Sequence, residues 1–120
     1  MRESDMQAVI VEALAWPSRG RPWLLHHDTD ARRSHSGGWP DLFAVHPPTG
    51  RCLVWELKSE SGRMRDGQTA WLLALMGLLD AGASIGVVRP HDLDECLRWI
   101  GSPSAPRPRL WLPDLDTERT

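Results

Sequence analysis

Lysine is almost missing from this chain. Of its fourteen basic residues only Lys58 is a lysine, and every other is an arginine. Cysteine is scarce too. Cys52 and Cys96 lack metal-type spacing, which argues against a disulfide scaffold or a thiolate metal site and leaves two buried thiols. No apolar run approaches the roughly eighteen residues of a membrane span, and the N-terminus lacks a basic-then-apolar leader pattern, so a cytoplasmic chain that does not enter a membrane is expected. The net charge is only −2, so no global field draws the protein toward nucleic acid. There is no internal repeat. His26 and His27 beside Asp28 could begin a transition-metal set, but His35, His46 and His91 are scattered and no second cluster completes it.

What is present is enough for one domain. A length of 120 residues supports a single core, and 41% hydrophobic with 25% charged content is ordinary for a globular chain. Residues 3–15 carry Met6, Ile10, Ala13 and Leu14 at helical spacing. Trp23 to His26 reads as a short strand, Leu42 to His46 as a second, and Cys52 to Lys58 as a third, the last two joined through a Pro47–Gly50 turn into an antiparallel hairpin. A strongly apolar helix follows from Asp66 or Gly67 to Asp80, with Trp71, Leu72, Leu75, Met76, Leu78 and Leu79. Ser84 to Val88 is a buried strand, and His91 to Ile100 a last helix with Leu93, Leu97 and Ile100 inward. The order α-β-β-β-α-β-α predicts an α/β fold, a small mixed sheet flanked by helices, over residues 1–101. Residues 102–120 form a Pro-rich tail whose prolines forbid a helix or central strand. Trp111 between Leu110 and Leu112 docks on the domain or on a partner, and the acidic end (Asp114, Asp116, Glu118) stays loose.

One stretch carries chemistry, "GGWPDLFAVHPPTGRCLVWELKSESG", residues 37–62. Side chains alternate along a strand, so Glu56 and Lys58 share a face with Val54 while Leu53, Trp55 and Leu57 take the other. Folding the hairpin about its turn returns Asp41 opposite the Glu56–Lys58 end. Two carboxylates so close repel, and one must keep its proton unless a cation lies between them. A hard divalent ion, magnesium or manganese, resolves that conflict with oxygen ligands from Asp41, Glu56 and the Leu57 carbonyl. Such an ion polarises a phosphoryl oxygen and acidifies a water for in-line attack. Lys58 would hold or deprotonate that water, or neutralise charge on the phosphate. A guanidinium cannot act as the base, which gives the lone lysine its meaning. An isolated E-x-K is usually a solvated surface pair; the Pro-Asp turn at hairpin distance is what argues otherwise. Gln68, with Trp71 and Leu72 on its face, points toward the site or caps the helix end. Glu3 and Gln7 lie on the stripe with Ile10 and Leu14, unless Glu3 only serves the helix dipole.

"GWPDL", "ELKSESGRMRDGQ" and "AGASIGVVRPHDLDECL" together resemble the VRR-NUC branch of the PD-(D/E)XK nucleases, in its short, phage-type form. The family pattern is met at Glu3, Gln7, Gly38, Pro40, Asp41, Glu56, Lys58, Gly62 and Gln68. The resemblance covers about residues 3–100 and omits the tail. It implies a restriction-endonuclease-like core and a metal-dependent DNA endonuclease, with Asp41 and Glu56 as ligands, Lys58 catalytic, Gln68 supporting the site and Glu3 as an additional ligand. Short members are similar to Holliday-junction resolvases, which implies branched DNA as substrate and a homodimer as the acting form. Arg32, Arg33 and Ser36 are expected to contact phosphates, Arg63 and Arg65 to extend that rim, and Trp39 to stack on a base. The rival expectations are a catalytically silent DNA-binding module, perhaps within a larger complex, and a purely structural protein with a Trp111-centred interaction tail.

Overall fold

The computed structural model describes residues 1–17, 21–27 and 37–113, apart from the His27 side chain. Arg19, Asp28, Arg32, Arg33, Ser36, Asp114, Asp116 and Glu118 therefore lie outside the described residues. Helix α1 (Glu3–Ala15) buries Met6, Ile10 and Leu14, spaced four residues apart on one face. The inward stripe thus begins at Met6 and not at Glu3, whose side chain is exposed; Gln7 is half-buried. The reason is axial, since Glu3 is the first residue of α1 and lies a turn beyond Met6, where the buried row starts.

Strands β1 (Leu24–His27), β2 (Leu42–His46), β3 (Arg51–Leu57) and β4 (Ser84–Val88) form one sheet in that spatial order. The first three run antiparallel, and β4 joins β3 in parallel. The β2–β3 turn closes as the sequence predicts. Gly50 adopts φ 72° and its N–H donates to the His46 carbonyl at 2.8 Å. A parallel neighbour requires a crossover, which α2 (Asp66–Leu75) supplies. Every residue of β4 is buried, as expected for a strand covered on both faces.

Two cores sandwich this sheet. Leu53, Trp55 and Leu57 pack with α1 and with α3 (Leu93–Gly101), whereas Val54, Ile85 and Val87 pack with Leu72 of α2. The α2 segment is shorter than its apolar run suggests. From Met76 to Ala81 it tightens into a 3-10 helix that ends at Gly82, φ 92°, and only Leu72 of the whole α2 helix is fully buried. In α3 the inward residues are Leu93, Cys96, Trp99 and Ile100, with Leu97 half-buried. Trp99 turns inward onto Trp23 and Trp55, and Arg51 covers it. That guanidinium lies 4.9 Å from the Trp23 ring and 5.4 Å from Trp99, and donates to the Trp99 carbonyl. Both cysteines are free, Cys96 buried and Cys52 half-buried, and burial pushes both thiols up. Among the described residues no helix is long and apolar enough to cross a membrane.

The Pro-rich segment does not stand apart. The Val87 N–H donates to the Trp111 carbonyl at 3.0 Å, so one residue of the tail pairs with the outer edge of β4. A Cβ on Gly86 would lie 2.6 Å from Leu110 Cβ and 2.9 Å from the Trp111 oxygen; glycine is what lets the tail approach. Leu110 packs against one core and Leu112 against the other.

Candidate active site

The site begins with the β2–β3 register. Leu42 pairs with Trp55, so Asp41, one residue earlier, falls opposite Glu56. Asp41 is held there: its Oδ2 accepts the Leu57 N–H at 2.8 Å. The turn before it is held as well. Gly38 has φ 92°, and a Cβ there would lie 2.3 Å from the Gly67 carbonyl carbon. A Cβ on Gly67 would in turn meet the Gly37 oxygen at 2.9 Å. Two backbones thus touch without side chains between them, and the Gly-Trp-Pro-Asp turn is pressed against the first turn of α2. Pro40 is fully buried and fixes the entry into β2.

That contact also delivers Gln68. Its Oε1 accepts the Arg65 N–H at 2.9 Å, satisfying a free donor at the start of α2. Its Nε2 donates to Glu56 Oε1 at 2.7 Å. The two roles considered from sequence, helix capping and site support, are filled at once by the two ends of one amide.

Glu56 is 2% exposed, and among the described residues its Oε2 has no hydrogen-bond partner. Burial, then the charge of Asp41, pushes its carboxyl from an ordinary 4.5 up to about 9, while Lys58 acts in the opposite direction. Lys58, 8% exposed, is the buried cation of the site. Gly62 lies against its stem, since a Cβ there would be 3.4 Å from Lys58 Cδ. Asp41, Glu56, Lys58 and Gln68 are therefore gathered at one end of β3. A buried acid with an unshared oxygen beside a second acid is a set that a hard divalent cation would satisfy, with the Leu57 carbonyl adjacent in the chain.

Glu3 does not join this pair. It sits at the exposed start of α1, and among the described residues no three His, Cys, Asp or Glu side chains cluster to hold a metal. Arg63 and Arg65 are exposed beyond the end of β3. Trp39 is half-buried, with its ring 4.8 Å from Trp71 and 6.4 Å from Phe43. One positioning residue had no signal in the sequence. Arg89, just after β4, donates to the carbonyls of Ser59 and Glu60 and pins the loop that follows Lys58. His91 adds to this by binding Glu60, its N–H donating to Oε1 at 2.7 Å.

A family model described as the VRR-NUC domain matches residues 3–90. No curated protein and no solved structure matches the chain.

Proposed function

The chain belongs to the VRR-NUC family, a nuclease family, and on that premise we propose that it is a divalent-metal-dependent DNA endonuclease. One observation carries this reading above the others: the buried Glu56 with an unpartnered oxygen, next to Asp41 and Lys58. A buried acid pressed against a second acid costs stability at neutral pH unless a cation binds the pair, so a purely structural role leaves it unexplained.

Asp41 and Glu56 would hold the ion, magnesium or manganese, with the Leu57 carbonyl as a further oxygen. When bound, that ion supplies charge to a phosphoryl oxygen and acidifies a water. The chain's own groups do the rest. The Leu57 N–H fixes one oxygen of Asp41, and the other would serve the ion. Gln68 orients Glu56 by occupying Oε1 and leaving Oε2 open. Lys58 would hold the attacking water or neutralise charge on the phosphate through its ammonium, or take a proton from that water as the neutral amine. The substrate is taken to be branched DNA and the acting form a homodimer; support for both lies in the motif resemblance to junction resolvases.

The test is cleavage. With magnesium or manganese the protein should nick plasmid and cut four-way junctions more readily than plain duplex, and Asp41→Ala or Lys58→Ala should abolish both activities. Equal activity in the variants would place the chemistry elsewhere. A sizing measurement alongside decides between dimer and monomer.

A further inference from the structure

A cleft of about 570 Å³ opens beside the carboxylate–lysine site, between the loop after Lys58, the start of the segment after β4 and the tail. Gly62, Arg63, Arg89, His91, Arg109 and Trp111 are among its lining residues. Gly62 in its wall borders the stem of Lys58. Three arginines line it against one acid, while at its border Glu60 binds His91 and Glu95 accepts the Arg109 N–H at 3.0 Å. The single acid in its wall, Asp92, is already engaged, accepting the Arg89 N–H at 3.0 Å and lying 3.3 Å from His91 Nε2. Arg63 and Arg109 are exposed and, among the described residues, neither guanidinium has an acidic partner.

The aromatic member is displayed, not packed away. Trp111 is 52% exposed, although its neighbours on both sides are anchored. Leu110 and Leu112 enter the two cores, Pro108 and Pro113 are buried, and the Trp111 carbonyl is tied to Val87. The backbone that carries the ring is fixed before any ligand arrives, so stacking on it costs less ordering entropy than on a loose segment. Arg109 and Trp111 also lie beyond residue 90, where the family match ends.

We propose that this cleft is a second DNA-contact site that takes unpaired nucleotides of a single-stranded arm, stacking a base on Trp111 with phosphates against Arg63 and Arg109. The inference rests on the neighbouring site being a DNA-cleaving centre. The volume is that of a small-ligand site and not of a duplex groove. An exposed aromatic face bordered by unpaired guanidiniums is the combination by which proteins hold single strands without reading sequence.

Binding of a labelled oligothymidylate and of a blunt duplex, followed by anisotropy with EDTA present, tests this. Trp111→Ala and Trp111→Leu should each weaken oligothymidylate binding about tenfold, and Trp111→Phe should retain it. The leucine variant keeps apolar packing, and thermal melts report whether each variant is folded. Duplex binding should hardly change. Arg63→Gln and Arg109→Gln should each reduce the salt slope on oligothymidylate by about 0.7. Wild-type affinity in a folded Trp111→Leu variant, equal losses on single strand and duplex, or no single-strand binding by wild type would overturn the proposal. The two readings separate cleanly. Unchanged oligothymidylate binding in Trp111→Leu, with cleavage lost in Asp41→Ala, overturns this inference alone. Trp111-dependent binding by a wild type that never cuts overturns the catalytic reading alone.

Discussion

Replacing Glu56 with glutamine should remove the activity and stabilise the metal-free protein. In the folded chain the Glu56 carboxyl titrates at about 9, against an ordinary 4.5. Between those values the native state holds a proton that the unfolded chain has released. The stability this proton contributes is fully present below the unfolded value and is lost as pH rises through the folded one. The slope is about 1.4 kcal/mol per pH unit. From about pH 5.5 to about pH 8 the wild type should therefore lose roughly 3 kcal/mol relative to Glu56→Gln, a Tm difference on the order of 10 °C. Glutamine keeps the acceptor that Gln68 uses at Oε1 and nearly the volume of glutamate, so little packing is lost. Thermal melts of both proteins across this pH range in EDTA give the comparison. Asp41→Asn should flatten the wild-type slope, because the Asp41 charge is the second cause of the shift. Added manganese should reverse the order, raising the wild-type Tm and leaving Glu56→Gln unmoved. Parallel pH curves for wild type and Glu56→Gln would refute the reasoning, since Glu56 would then not be held as a neutral acid.

Two further substitutions probe the scaffold around the pair. Gly38→Ala places a methyl 2.3 Å from the Gly67 backbone at φ 92°, and should cost about 2–4 kcal/mol in urea unfolding; a wild-type midpoint would mean the turn and α2 are not locked together. Gln68→Ala frees Glu56 Oε1 and the Arg65 N–H, and should weaken manganese binding by about tenfold at a stability cost of about 1 kcal/mol; unchanged manganese affinity would remove Gln68 from the site.

Much of this was legible before any coordinates, because it depended on local rules. The hairpin is bounded by turn residues, and period-two alternation assigns Glu56 and Lys58 to one face. Counting across the Pro47–Gly50 turn then brings Asp41 to Glu56, which is the register observed. Gln68 was legible for the same reason, as the polar residue on an apolar helix face. What the sequence hid was set by contacts distant along the chain. Gly38 against Gly67 is a meeting of two backbones and has no side-chain signature. Trp99 turns inward onto Trp23 and Trp55, more than forty positions away. The tail pairs with β4 through a main-chain bond that any residue could make, and only the missing Cβ of Gly86 permits it. Glu3 is in line with the buried row of α1 but is the exposed first residue of the helix, and face periodicity does not tell where along the axis burial begins. The 3-10 ending from Met76 was likewise invisible in a run of good helix formers.

Manganese uptake followed by titration calorimetry on wild type, Asp41→Ala and Lys58→Ala tests the central claim most directly. Wild type and Lys58→Ala should both take up the ion and, near neutral pH, release about one proton as Glu56 ionises, while Asp41→Ala takes up none. Binding that survives in Asp41→Ala, or none in the wild type, would contradict a cation site built on these two carboxylates.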